Sequence, residues 1–263
     1  MQQINLDSLT DPRIDVFRNL KATNSTRRAG LFVAEGEKLF QRLLASDYPL
    51  HSVLLGRGEL ERFSSLLTDD LPVYVVPDEW IEQIVGFNFH RGVLACGRRK
   101  PNPSLDEICS AAAGRLTLVV CPDVQDPENL GAIFRISSAF GVDAVVLGEH
   151  CGDPLSRRVL RVSMDAVLRL QVVQSANLNN DLTILQQRHG VELWATVLEE
   201  RGERLHQTQP APRMAVLLGS EGHGLASHWI ERCDRRVTIP MQPGTDSLNV
   251  SVAAGIVLYH LSQ

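Results

Sequence analysis

Ile239-Pro240-Met241-Gln242-Pro243-Gly244-Thr245-Asp246-Ser247-Leu248-Asn249-Val250-Ser251-Val252-Ala253-Ala254-Gly255 follows a short apolar run at 237–239. It passes through a loop of turn-forming residues and opens a helix around Ser247 to Asn249. Ser and Asn side chains accept from the free N–H groups of a first helical turn, so both suit its start. Ala253-Ala254-Gly255 leaves one helix face small enough for close packing. Two segments upstream share this order of apolar strand, polar loop and helix. Asp123-Val124-Gln125-Asp126-Pro127-Glu128-Asn129-Leu130-Gly131-Ala132-Ile133-Phe134-Arg135 follows the run Leu116–Cys121. Its helix is expected over 129–140, starting near Asn129, with Leu130, Ile133, Phe134 and Phe140 as the buried stripe. Arg135 lies one turn beyond Gly131 and near Ser138, on a face of small residues where a guanidinium is open to a bulky ligand. Leu217-Leu218-Gly219-Ser220-Glu221-Gly222-His223-Gly224-Leu225 follows the run 214–218, and its three glycines allow positive φ and close approach of a ligand to backbone. The spacing is neither the dinucleotide fingerprint nor a P-loop. Glu221, an acid among glycines, can accept hydrogen bonds from a sugar or an ammonium group.

Around these segments the second part of the chain reads as an α/β layer structure. The runs Leu116–Cys121, Ala144–Leu147, 193–197, 214–218 and 237–239 are nearly continuous apolar stretches, the pattern of parallel strands covered on both faces. Helices are expected near 129–140, 155–163, 179–189, 224–231 and 248–261. Such sheets bind ligands at the carboxyl ends of their strands. Arg98-Arg99-Lys100-Pro101-Asn102-Pro103-Ser104 interrupts both helix and strand with two prolines. It divides the chain into a small domain, 1–97, a linker, 98–104, and a larger domain, 105–263. The first domain also alternates, with short strands at 31–34, 51–55, 73–76 and 92–96 and helical segments at 12–23, 37–46, 59–67 and 78–85.

The 263 residues are 44% hydrophobic and 22% charged, which excludes a disordered or collagen-like chain. No apolar stretch approaches the ~20 residues of a membrane span, and MQQINLDSLTDPRIDVF has no apolar core of a secretory signal. Five scattered cysteines without a CxxC pair suggest reduced thiols of a cytoplasmic protein, and no metal site is expected. The net charge of −5 speaks against a nucleic-acid partner when averaged over the chain. The average hides a division: residues 1–100 carry 13 basic and 13 acidic side chains, and residues 101–263 carry 13 and 18. The basic residues Arg13, Arg18, Lys21, Arg27 and Arg28 gather near the start. They form the candidate RNA-binding cluster, and 23 of the 26 cations are arginine, which recognises phosphate in a planar, bidentate way.

Taken in order, N-L-G-A-I-F-R (129–135), L-G-S-E-G-H-G-L (218–225), I-P-M (239–241) and S-L-N-V-S-V-A-A-G-I (247–256) resemble motifs 1 to 3 of the SpoU (TrmH) family of RNA 2′-O-ribose methyltransferases, in the SPOUT superfamily. The stretch from Ser156 to Ala166 is similar to another family segment, with Met164-Asp165 in place of its small residues. Residues 27–36 and 90–95 resemble the substrate-binding domain attached to many members. The resemblance implies an α/β fold whose C-terminal parallel sheet carries a trefoil knot, preceded by a small α/β substrate-binding domain. It implies S-adenosylmethionine as cofactor, a ribose 2′-hydroxyl of rRNA or tRNA as acceptor, with rRNA preferred because an appended domain of this type often accompanies rRNA members, and a homodimer. It assigns Arg135, Asn129, Glu221, Ser247 and Asn249 to catalysis, and backbone groups around Leu218, Gly219, Ile239, Met241 and Leu248 to the cofactor. Arg135 suits charge stabilisation better than proton abstraction, because arginine stays protonated. A non-catalytic RNA-binding or ribosome-assembly protein on the same fold would lack Arg135 or Ser247-Leu248-Asn249, and both are present. A nicotinamide-dependent dehydrogenase would place G-x-G-x-x-G where this chain has Asp123-Val124-Gln125-Asp126-Pro127.

Overall fold

The computed structural model describes residues 2–20, 25–89, 92–198, 202–220, 222–242, 244 and 247–263. Its contacts divide the chain into two compact units, Met1–Pro101 with Leu155–Leu168, and Asn102–Pro154 with Arg169–Gln263.

The first unit holds a five-stranded mixed sheet of β1 (Gln2–Asn5), β2 (Leu31–Glu35), β3 (Leu50–Gly56), β4 (Pro72–Val76) and β5 (Val93–Arg98), in the order β1-β4-β3-β5-β2. β1, β4 and β3 are parallel, while β5 runs antiparallel to both β3 and β2. Its helices are α1 (Ser25–Arg28), α2 (Glu37–Leu44), α3 (Leu60–Phe63) and α4 (Asp78–Val85). Leu31, Val33, Leu54, Tyr74, Val76 and Leu94 alternate along their strands to form one core face, against Ile81, Ile84 and Val85 of α4. The helix expected over 12–23 is a 3-10 turn at Pro12–Phe17, capped by Asp11 and ended by extended backbone at Arg18. Residues 21–23 of that expectation lie outside the described residues. Only Ile14 and Phe17 are buried there, too little apolar surface to anchor a longer helix.

In the second unit, α5 (Leu105–Ala111) leads to β6 (Leu116–Cys121), α6 (Pro127–Ala139) and β7 (Ala144–Leu147). The chain then enters α7 (Arg157–Ser163) and α8 (Ala166–Arg169), which pack almost entirely with the first unit. This departs from the expectation of one domain over 105–263. The cause is local: α7 packs on β2, and Arg157 pairs with buried Glu35 at 3.0 Å while its guanidinium sits 4.1 Å over the Phe87 ring. Met164 and Asp165, which end α7, both take left-handed φ, 51° and 76°. Residues other than glycine rarely adopt that geometry, so the backbone is strained at both positions.

The remaining strands are β8 (Gln171–Gln174), β9 (Glu192–Thr196), β10 (Glu203–Arg204), β11 (Arg213–Leu217) and β12 (Arg235–Thr238). Helices α9 (Leu178–His189), α10 (Ser227–Arg232) and α11 (Val250–Leu261) complete the unit. All seven strands are parallel, in the order β10-β12-β9-β11-β6-β7-β8. Leu118, Val120, Val146, Leu193 and Leu217 face a core made with Leu178, Leu182 and Leu185 of α9, while Val119, Val145, Trp194 and Val216 are buried on the opposite face. Burial on both faces is why these strands read as unbroken apolar runs. β8 (Gln-Val-Val-Gln) and β10 (Glu-Arg) are short edge strands and left no such run. Parallel strands bring the loops after β6, β9, β11 and β12 to one edge of the sheet.

Candidate active site

Two of those loops close over a cavity of about 340 Å³. After β11, Leu218 donates its N–H to the Val120 carbonyl at 2.9 Å, and Gly219 passes against the returning chain. Ser220 and Gly224 then exchange backbone hydrogen bonds of 3.0 and 3.1 Å, which staple the turn. A Cβ on Gly219 would come within 2.5 Å of the Leu225 nitrogen and 2.7 Å of the Gly224 Cα. Only glycine fits there. Gly222 and Gly224 hold left-handed φ of 88° and 66°, so the glycine spacing read from sequence is a requirement of the turn.

The second loop leaves β12 through Ile239 and Met241 and enters α11 through Ser247, Leu248 and Asn249, all lining the cavity. Asn249 is the N-cap: its Oδ1 accepts from the Ser251 N–H at 2.9 Å and the Ser251 hydroxyl at 2.6 Å. Its Nδ2 donates to Oδ1 of Asn129 at 2.8 Å, joining the loop after β12 to α6. Asn129 is buried in the first turn of α6 and is not the cap expected of it. That position is Asp126, whose carboxylate accepts from the N–H groups of Glu128 (2.6 Å) and Asn129 (3.3 Å), with Pro127 pre-set for the first helical position. Asn249→Ala is expected to remove a cap worth about 1 kcal/mol and a part-buried hydrogen bond worth up to about 1 kcal/mol. Asn249→Asp keeps the cap and loses only the donor to Asn129. Thermal melts should rank wild type above Asp and Asp above Ala, by about 2–4 °C per kcal/mol.

The structure therefore brings Leu218, Gly219, Ile239, Met241, Leu248, Ser247 and Asn249 to one cavity and ties Asn129 to it through Asn249. Arg135 is on the exposed side of α6, does not line the cavity, and has no hydrogen-bond or ion-pair partner among the described residues. Glu221 lies outside the described residues, as does Lys21. The remaining walls include Thr196 at the end of β9, Val197 and Leu198 after it, Leu205, Val237 and Thr238 of β12, and Val250, Ala253 and Val257 of α11. Val250 and Ala253 belong to the motif segment 247–256, whereas Thr196, Val197, Leu198, Leu205 and Val257 carry no motif. Only the fold could select the latter.

The basic cluster is divided. Arg13 binds Asp11 through both its Nε (2.9 Å) and a terminal nitrogen (2.7 Å), and this holds the Asp11 carboxyl down at about 2. Arg18 is bound to Asp15 at 2.7 Å and to the carbonyls of Leu9 and Asp11. Arg27 and Arg28 are exposed at the end of α1 and have no ion-pair partner among the described residues. All five cysteines are free thiols, and burial pushes Cys96 up to about 12. Among the described residues no helix is long and apolar enough to cross a membrane.

A parallel sheet whose last two strand-to-helix loops close one cavity at its carboxyl edge is the architecture of the SpoU-type methyltransferases. The structure matches an AdoMet-bound rRNA methyltransferase from Sinorhizobium meliloti with a TM-score of 0.84 over 99% of this chain and 97% of that one, at 24% identity. It matches a structure described as an RNA 2′-O ribose methyltransferase at 0.73, over 98% and 97%, with 27% identity. The chain belongs to the SpoU rRNA methylase family, whose model matches residues 116–259, and is an RNA methyltransferase. A relative described as an uncharacterised tRNA/rRNA methyltransferase, from Mycobacterium bovis, is 39% identical, with 95% of this chain and 88% of that protein covered. The 23S rRNA (guanosine-2′-O-)-methyltransferase RlmB of Acinetobacter baylyi is 31% identical over 68% of this chain and 73% of its own.

Proposed function

We propose that this protein methylates a ribose 2′-hydroxyl of rRNA with S-adenosylmethionine as donor. The observation that carries the reading is the convergence of seven motif residues on one cavity, joined by the Asn249–Asn129 bond to the helix that bears Arg135. The residues fit the donor: an apolar wall of Leu218, Ile239, Met241 and Leu248 suits an adenine, and the backbone of Leu218 and Gly219, held by the stapled turn, lines the same cavity for its ribose. S-adenosylmethionine supplies a methyl group already activated on a sulfonium, so the demands left to the protein are alignment and the weak acidity of the acceptor alcohol. Arg135 meets the second demand. A free guanidinium stabilises charge developing on the 2′ oxygen and binds the neighbouring phosphate. Asn129, Ser247, Asn249 and Glu221 orient the sugar and the cofactor. Arg27 and Arg28 bind RNA phosphates, while Arg13 and Arg18 are paired with the carboxylates of Asp11 and Asp15.

The test is methyl transfer from radiolabelled S-adenosylmethionine to rRNA and tRNA taken from a strain lacking the gene, followed by mapping of ribose methylation. Labelled rRNA carrying a 2′-O-methyl is the expected product. Binding of NAD but not S-adenosylmethionine in calorimetry would overturn the reading.

The same reading includes a cytoplasmic homodimer and a trefoil knot formed where the loops after β11 and β12 pass one another. For the dimer the support is a stripe on α11. Val252, Ile256 and Tyr259 are 50%, 39% and 58% exposed, about one turn apart along one face of a helix that also packs on α6, where the Tyr259 ring meets Phe140 edge-on at 6.1 Å. Apolar side chains so aligned on a surface mark an interface. Ile256→Asp is expected to convert a dimer to monomer in light scattering; an unchanged mass would refute this use of the stripe.

A further inference from the structure

Among the described residues that line the cavity proposed for the cofactor, His223 is the one titratable side chain. The other polar side chains there are Thr196, Ser220, Thr238, Ser247 and Asn249, none of which gains or loses a proton near neutral pH. The turn after β11 fixes where His223 stands. Gly222 and Gly224 flank it with left-handed φ of 88° and 66°, and the paired backbone bonds between Ser220 and Gly224 hold the turn closed. His223 is exposed, and its ring has no hydrogen-bond or ion-pair partner among the described residues.

The same turn walls a second cavity, of about 440 Å³, over the carboxyl ends of β6 and β11. These strands are paired neighbours, but the chain leaves β6 toward β7 on one side and leaves β11 toward β12 on the other. The pair marks a reversal of strand order, where open parallel sheets form their ligand crevice. Leu218, Ser220, His223 and Gly224 line both cavities, so His223 borders the proposed donor site and the crevice beside it. The titratable groups that share the second cavity with it are Asp123 after β6, Glu149 and His150 after β7, and His228 in the first turn of α10. None of these four lines the first cavity. Glu221, two positions earlier in sequence, lies outside the described residues.

Methylation of a ribose hydroxyl releases one proton, because an alcohol and a sulfonium become an ether and a neutral thioether. Arg135 stays protonated and has no capacity to take it. A histidine has that capacity, since imidazole ordinarily titrates close to neutral pH and accepts a proton on its free ring nitrogen. We propose that His223 is the general base of the reaction. As the 2′ oxygen bonds to the methyl carbon, the carbon–sulfur bond breaks with its electron pair on sulfur. The hydroxyl proton passes to a ring nitrogen of His223, which gives it up to water at its exposed face. The proposal rests on the ribose-methyltransferase reading and adds to it the proton acceptor that Arg135 does not supply.

The test uses the full-length protein, rRNA from a strain lacking the gene, and single turnovers at saturating S-adenosylmethionine from about pH 5 to pH 8, the range in which histidines titrate. The wild-type rate should rise with pH and then level off, as it does for a base that works unprotonated. His223→Gln should lower the plateau by at least about tenfold and flatten the rise, while His150→Gln and His228→Gln keep it. A second readout needs no turnover: the imidazole NMR signal missing from His223→Gln should move when S-adenosylhomocysteine is added to the wild type, since the ring borders that cavity. Three results overturn the base and leave the methyltransferase reading standing. They are a His223→Gln enzyme with the wild-type rate and pH profile, a rise that disappears in His150→Gln or His228→Gln instead, and a His223 signal unmoved by S-adenosylhomocysteine. Absence of any methyl transfer by the wild type overturns both.

Discussion

Arg135→Ala is expected to reduce methyl transfer by about 10²–10³-fold, the usual loss when one preorganised stabiliser of developing charge is removed. Affinity for S-adenosylmethionine should not change, because Arg135 does not line the cavity proposed for the cofactor. Stability should also hold, since the side chain is exposed and has no ion-pair or hydrogen-bond partner among the described residues. This separation makes the variant informative: a folded protein that binds cofactor normally and fails to turn over isolates the chemical step. Arg135→Lys keeps the charge and loses the planar fork, so its rate should fall between those of wild type and alanine. Single-turnover assays at saturating cofactor measure all three. Near-normal turnover by the alanine variant would remove Arg135 from the mechanism.

The second large effect is expected at Gly219, on the cofactor side. Its missing Cβ is the only reason the chain after β11 can lie against Gly224 and Leu225. The atoms in the way are backbone, which no rotamer change can move. Gly219→Ala must open the stapled turn, at a strain cost of about 1–3 kcal/mol, and the cavity wall moves with it. S-adenosylmethionine affinity is expected to fall about 10–100-fold, which calorimetry reads directly. The opposite pattern to Arg135→Ala should appear in kinetics, with activity partly recovered at high cofactor concentration. A Gly219→Ala protein with wild-type affinity would show that the turn is not part of the cofactor wall.

Much of the catalytic sheet was legible because of where it is buried. β6 and β7 are apolar on both faces and begin and end where their apolar runs do. β1, β8 and β10 were not legible: Gln2–Asn5 and Gln171–Gln174 are short edge segments, and their pairing depends on a neighbour more than on their own side chains. The site divides in the same way. Gly219, Gly222 and Gly224 announced themselves because backbone geometry there tolerates little else. Asn129 was visible as a polar residue at a helix start but took a different role, since Asp126 and Pro127 already complete that start.

Local chemistry, then, was written along the chain: unbroken apolar strands, glycine-dependent turns, capping residues, and a lone arginine on a helix of small residues. These depend on a residue and its near neighbours, and sequence carries them whole. Partnership across the fold was decided only in three dimensions. Asn249 meets Asn129 across 120 positions of sequence. Arg13 and Arg18 are held by Asp11 and Asp15, so the basic start of the chain offers fewer free cations than its composition implies. Helix α7 packs with the first unit despite its place among the strands of the second. The physical reason is the same in each case: a hydrogen bond, an ion pair or a packed face requires two surfaces at contact distance, and the parallel sheet sets that distance by bringing the ends of remote strands to one edge.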